Sequence, residues 1–112
     1  MTVTLYHNPR CSKSRAALAL LQERGVDLDV VEYIKTPLSA TAIKELLALL
    51  GVTARDLIRP KDARDAGVNL DGSDAALVKA MADEPRLIER PIAVNGDRAA
   101  IGRPPENVLD IL

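Results

Sequence analysis

The sequence predicts an α/β fold in which helices flank a mixed β-sheet. Three observations carry that prediction. Two short strand-like runs, residues 2–6 and 28–33, bracket one helical run, residues 12–24, whose length suits a parallel β-α-β unit. Near the other end, PIAVNGDRAAI sets Asn95-Gly96 between two apolar runs, the preferred two-residue loop of an antiparallel hairpin. Between these units the pattern is helical, punctuated by capping serines and threonine, glycine and proline.

Taken in order, residues 2–6 read as the first strand. In the helix over 12–24, Ala17, Leu18, Leu20 and Leu21 form the buried stripe and Gly25 is the stop. Residues 28–33, dense in β-branched side chains, form the second strand. Ser39 caps a helix that runs through Leu50 and closes at Gly51, and Thr53 begins a shorter helical turn ending near Pro60. Ser73 starts another helix, which ends before Pro85 because proline disfavours helical backbone at the residue ahead of it. After the hairpin, RPPENVLDIL supplies a last short helix, with proline tolerated in its first turn. β-α-β, then helices, then a hairpin and a final helix is the element order of a thioredoxin-like fold, here with a large helical insertion between the β-α-β unit and the hairpin. No linker, repeat or low-complexity tract interrupts the 112 residues, so 1–112 is expected to be a single domain.

The core must be aliphatic, since Phe and Trp are absent and only Tyr6 and Tyr33 are aromatic. A formal net charge of -1, with acidic and basic residues interspersed, argues against nucleic acid or an anionic membrane as partner. No apolar run reaches the roughly 18 residues of a spanning helix, and the N-terminus lacks a basic-then-apolar signal pattern. A single cysteine rules out an internal disulfide and suits a reducing compartment, so the expected location is cytoplasmic. One Cys and one His do not build a zinc site, and no bound cofactor is expected.

The stretch YHNPRCSKSRAAL contains the only histidine and the only cysteine. Cys11 falls at the entrance of the first helix, where unsatisfied N–H groups and the positive end of the dipole favour thiolate. Such settings lower a thiol pKa from about 8.5 into the range of roughly 3.5–7.5. Arg10 and Arg15 add positive potential, and the loop amides offer an anion site beside the nucleophile. Ser14 stands where a C-x-x-C pair has its second cysteine; it can donate a hydrogen bond to the thiolate or to a bound oxyanion, but cannot form a disulfide. Polar neighbours on both sides argue against an inert buried cysteine. His7 has two readings: a cationic partner at the edge of the thiol, lowering its pKa, or a loop histidine bonded to backbone. Arg59 in LIRPK, Arg90 in ERPIAV and Arg103 in GRPPE each stand where a helix or strand ends. Their forked guanidinium suits a tetrahedral oxyanion, although dispersed arginines are by default solvated surface charges. A cis Pro91, as thioredoxin-like folds carry before the hairpin, would bring Arg90 to the cysteine; a trans Pro91 would merely open a strand.

YHNPRCSKSR, LIRPK, ERPIAV and GRPPENVL, in that order across nearly the whole chain, resemble the glutaredoxin-coupled arsenate reductases of the ArsC family, which share a thioredoxin-like fold. Ser12 where glycine commonly follows the cysteine, and an end at Leu112, resemble a shorter subgroup. The resemblance implies that Cys11 is the nucleophile, that Arg59, Arg90 and Arg103 bind arsenate or a related oxyanion, and that His7 and Ser14 help activate the thiol; Arg15 joins the expected substrate-binding set through the positive potential it adds beside Cys11. It also implies glutathione as external reductant and glutaredoxin as partner. Rival readings are a non-catalytic thioredoxin-like adaptor, an Spx-type redox regulator of transcription, and a monothiol glutaredoxin-like module fitted by CSKS. The Spx-type switch uses C-x-x-C, which Ser14 breaks, and a phosphatase-type C-x5-R loop is excluded by Ala17.

Overall fold

The structure, a computed structural model, describes residues 2–112. The chain divides into two compact units, one made of residues up to Thr36 together with Arg90–Leu112, the other of Pro37–Glu89. The second unit is the helical insertion expected between the β-α-β unit and the hairpin.

In the first unit, strand β1 (Thr2–His7), helix α1 (Ser12–Glu23) and strand β2 (Asp27–Glu32) form the parallel β-α-β unit, with Thr2 opposite Asp27 and His7 opposite Glu32. Strands β3 (Ile92–Asn95) and β4 (Arg98–Ile101) form the antiparallel hairpin. β3 also runs antiparallel to β1, so the sheet, in the order β2-β1-β3-β4, is mixed as predicted. β2 begins one residue before the predicted start, and Tyr33 lies beyond it as a buried side chain. The hairpin loop is Gly96-Asp97 rather than Asn95-Gly96. Asn95 pairs with Arg98, and Gly96 takes a φ of 62° at the first central position, where a type II′ loop requires glycine. Asn95 is kept in the strand by its Nδ2, which donates to the Ile111 carbonyl at 2.8 Å.

Alternation along β1 turns Val3, Leu5 and His7 to one face. Against it pack Ala17 and Leu21 of α1, and Val108 and Ile111 of a C-terminal 3-10 helix, Pro105–Ile111. The expected stripe of α1 is partly redistributed: Ala17 and Leu21 are fully buried, Leu18 packs at the margin of the cluster, and Ser14 takes a buried position of its own.

The second unit holds α2 (Ala40–Leu50), α3 (Ala54–Leu57), α4 (Pro60–Asp65) and α5 (Asp74–Asp83), followed by a 3-10 turn, Pro85–Leu87. Ser39 and Ser73 cap α2 and α5 by accepting the Ala42 and Ala76 amides at 3.1 and 3.2 Å. α2 and α3 pack on α5. α4 and the 3-10 turn are not foreseen in the sequence, which reads Pro60 and Pro85 as stops; each instead opens a new short helix, where its missing N–H costs nothing. An isolated bridge pairs Ile58 with Ile88, reinforced by Arg59 N–H to the Leu87 carbonyl at 2.6 Å and Glu89 N–H to the Leu57 carbonyl at 2.8 Å.

Leu21 is wholly buried between the sheet and the C-terminal 3-10 helix. Leu21→Ala is expected to cost about 2–5 kcal/mol through lost transfer energy and the cavity left behind. The check is urea unfolding, where the midpoint should fall while the slope stays unchanged.

Candidate active site

β1 and α1 are joined by the turn Asn8-Pro9-Arg10-Cys11. Asparagine first and proline second suit a type I turn. The Cys11 N–H closes it on the Asn8 carbonyl at 3.0 Å, and Asn8 Oδ1 accepts from the Arg10 N–H at 3.0 Å. Cys11 thereby becomes the N-cap of α1, with φ -94° and ψ 123°, and its carbonyl accepts the first helical bond from the Arg15 N–H at 3.0 Å. An N-cap side chain faces the free amides of the first turn. The thiol closes no capping hydrogen bond, yet those amides still weigh on its ionisation.

Cys11 is half-buried. Burial is the strongest single influence on its thiol and opposes ionisation. Against it act the Ser14 amide, a hydrogen bond and the charge of the Arg90 guanidinium, and the Lys13 amide; together they win and hold the thiol below its ordinary pKa. The positive potential credited in the sequence to Arg10 and Arg15 is thus supplied at the sulfur by Arg90. Arg15 is exposed, and its guanidinium donates to the Pro9 carbonyl at 2.8 Å, fastening α1 to the turn.

His7 takes neither role that the sequence offers. Its ring is buried, and Nδ1 shares a 2.6 Å hydrogen bond with Ser14 Oγ. Burial pushes the imidazole pKa below its usual value; Glu32, opposite in the β1–β2 register, pulls it part of the way back, and the Arg15 charge lowers it again. His7 is therefore neutral at pH 7 and acts by contact rather than by charge. Ser14 also differs from expectation. Its hydroxyl, wholly buried, is held by His7 and accepts from the Asn8 N–H at 3.0 Å, so the group it turns to Cys11 is its backbone amide.

Arg90 precedes β3, and the Arg90-Pro91 and Arg103-Pro104 bonds are both cis. Arg103 Nε donates to the Arg90 carbonyl at 3.0 Å, and Asn107 Nδ2 donates to the Arg103 carbonyl at 3.1 Å. The first unit therefore brings Cys11, His7, Ser14, Arg15, Arg90 and Arg103 together. Arg59 belongs to the second unit, where it is the N-cap of α4. There its Nε lies 2.5 Å from Asp62 Oδ2, and another guanidinium nitrogen lies 3.9 Å from Glu89 Oε2. Sequence reasoning misses Asn8, whose Asn-Pro step is a turn signal that could have revealed it, and Glu32, which only the strand register places beside His7. Among the described residues, no group of three or more His, Cys, Asp or Glu is placed to hold a metal ion, and no helix is long and apolar enough to cross a membrane.

Residues 6–111 match the model of a family described as the ArsC family. The chain is 50% identical to the uncharacterized protein YfgD of Escherichia coli strain K12, an alignment covering 98% of this chain and 96% of that protein. It is 45% identical to the arsenate reductase of Haemophilus influenzae, covering 100% of both chains. The solved structure of the arsenate reductase from Vibrio cholerae matches with a TM-score of 0.90 at 44% identity, covering 100% of this chain and 98% of that one.

Two outcomes follow from the His7–Ser14 contact. Ser14→Ala leaves the His7 ring nitrogen and the Asn8 amide without their shared hydroxyl in a buried place, and should lower stability by about 1–3 kcal/mol in urea titrations. For pH, the folded His7 pKa lies below the 6.5 of an unperturbed imidazole, so the unfolded chain takes up the proton first. The stabilisation from His7 is complete above pH 6.5 and is lost as pH falls through the lower, folded value. Unfolding free energies measured from neutral pH downward should decline less steeply in His7→Gln than in the unsubstituted protein.

Proposed function

The chain belongs to the ArsC family, and from that premise we propose that it is an arsenate reductase in which Cys11 is the nucleophile and glutathione with glutaredoxin supplies the electrons. The observation that carries this reading is the meeting, at one sulfur, of an N-cap position on α1 and the Arg90 guanidinium. The same donors that favour thiolate suit the approach of an oxyanion.

In the proposed reaction the Cys11 thiolate attacks arsenic(V). A sulfur–arsenic bond forms, one arsenic–oxygen bond breaks, and the oxygen leaves protonated as water. Arg90 and Arg103 offset the oxyanion charge as it redistributes, while the Ser14 and Lys13 amides stabilise the attacking sulfur. The assignment of Arg59 to the oxyanion rests on the resemblance. Reduction needs a second thiol, and Cys11 is the only cysteine in the chain. Glutathione thiolate attacks the Cys11 sulfur, a disulfide forms, the sulfur–arsenic bond breaks, and its electron pair stays on arsenic, which leaves as arsenite. A glutaredoxin thiol then attacks the glutathione sulfur and returns Cys11 to thiolate. Two thiols are oxidised to one disulfide, and one arsenic falls by two oxidation states.

The test is arsenate-dependent NADPH oxidation in the presence of glutathione, glutaredoxin and glutathione reductase. The unsubstituted protein should turn over, and Cys11→Ser should abolish turnover with an unchanged circular dichroism spectrum. Arg90→Lys, which keeps the charge and loses the fork, should lower kcat/KM by roughly 10- to 100-fold. A flat trace for the unsubstituted protein would leave the non-catalytic adaptor as the better reading.

A further inference from the structure

Gly102 follows β4 directly and is buried. It is not one of the glycines in the left-handed region, so its backbone is open to any residue. Space is what it supplies. A Cβ placed there would lie 2.6 Å from Pro91 Cγ, 3.1 Å from Pro91 Cδ and 3.0 Å from Val108 Cγ1. The same few residues are laced together by hydrogen bonds. Gly102 N–H donates to the Pro91 carbonyl at 2.8 Å, Arg103 N–H to the Ile101 carbonyl at 2.9 Å, and Arg103 Nε to the Arg90 carbonyl at 3.0 Å.

We propose that Gly102 is a positioning residue for the two arginines: the missing side chain seats Pro91 on the chain at 101–103 and so aims the Arg90 guanidinium at Cys11 Sγ. The inference rests on the reading of Cys11 and Arg90 as the reacting pair. Its physical basis is the unequal compliance of the two neighbours. The Pro91 ring can relieve part of the Cγ contact by changing pucker, but its Cδ is bonded to the backbone nitrogen and moves only with the 90–91 peptide, whereas Val108 Cγ1 is a side-chain methyl that has to give by no more than a few tenths of an ångström. A methyl group at 102 therefore displaces the 90–91 backbone. Arg90 is the first residue that backbone carries, and a guanidinium–sulfur hydrogen bond weakens steeply with misalignment. The same shift moves the carbonyl to which Arg103 is tied.

The experiment measures the pH dependence of Cys11 alkylation by iodoacetamide in six forms: the unsubstituted protein, Arg90→Gln, Gly102→Ala, Val108→Ala, Gly102→Ala with Val108→Ala, and that double variant carrying Arg90→Gln as well. The double variant removes the Val108 clash and leaves the Pro91 clash, so its alanine can be housed only by moving Pro91. This keeps the test decisive if Gly102→Ala alone folds poorly. The expected result is that Arg90→Gln slows alkylation near neutral pH and moves its midpoint upward. Gly102→Ala with Val108→Ala should do the same relative to Val108→Ala, by roughly three- to tenfold, the change that follows when the midpoint rises by about half to one pH unit. Adding Arg90→Gln to the double variant should cause no further slowing, because both changes act through one guanidinium. If Arg90→Gln slows the reaction while the Gly102 variants match their controls, the positioning role is overturned and the reading of the reacting pair stands. If Cys11 alkylates at the rate of free cysteine and Arg90→Gln changes nothing, both fall.

Discussion

The sulfur at the N-cap of α1 is the constraint to which the rest of the first unit answers. A half-buried thiol loses solvation on ionising, and burial is the strongest single influence on Cys11. A thiolate there exists at useful concentration only if fixed dipoles and charge outweigh that loss. The donors come from two directions: the first-turn amides of α1, which cannot pair within the helix, and Arg90, which the chain brings from the start of the hairpin. The amides are local to the N-cap, but the arginine arrives only because β1 pairs antiparallel with β3, which sets the end of β1, where the turn begins, beside the start of β3, which Arg90 precedes. The mixed sheet is thus the means by which two distant segments reach one atom.

The groups that stabilise the thiolate share a second property. Backbone amides do not titrate, and arginine stays protonated throughout the physiological range. His7, which could have been a titrating cation, is buried, neutral and bonded to Ser14. Its place on the core-facing side of β1 follows from strand alternation with Val3 and Leu5. Through the Ser14 hydroxyl it grips the Asn8 amide, and so it holds the turn against the first turn of the helix. The groups that lower the pKa of Cys11 have constant charge, and the titratable His7 serves as a structural strut.

Much of this was legible in the sequence, and the parts that were not share physical causes. The strands, α1, the caps at Ser39 and Ser73 and the placement of Cys11 are local signals, and local signals read well. Proline was ambiguous. Pro60, Pro85 and Pro105 all occupy the first turn of a short helix, but only Pro105 was read so, because a proline ends one helix by the same restriction of φ that prepares the next. The hairpin loop moved by one residue because Asn95 had a tertiary partner, the Ile111 carbonyl, that no turn statistic contains. In the site, which residues stand near Cys11 is easier to read from the sequence than which group each one turns toward it. Ser14 is expected to turn its hydroxyl to the thiol and turns its amide there instead; His7 is expected as a cation or a backbone partner, and its buried ring is bonded to the Ser14 hydroxyl with its pKa lowered. Roles depend on burial and direction, which a one-dimensional pattern does not encode.

Gly102 shows the same limit from the other side. In the sequence it is one of six glycines and the only one embedded in a G-R-P-P run, with nothing to separate it from a turn residue. In the fold, Gly25, Gly51, Gly67 and Gly96 have left-handed backbones and open space where a side chain would go, whereas Gly102 has neither. A glycine required by its own dihedral angles serves the local chain, and its replacement is felt locally. One required by a neighbour's bulk transmits its replacement to that neighbour. Here the neighbour is Pro91, and beyond it Arg90, whose hydrogen bond and charge both act on Cys11. The close packing at Gly102 is consequently coupled to Cys11 by one residue of backbone, which is why a methyl group placed there is expected to register as a change in the acidity of the thiol at the N-cap of α1.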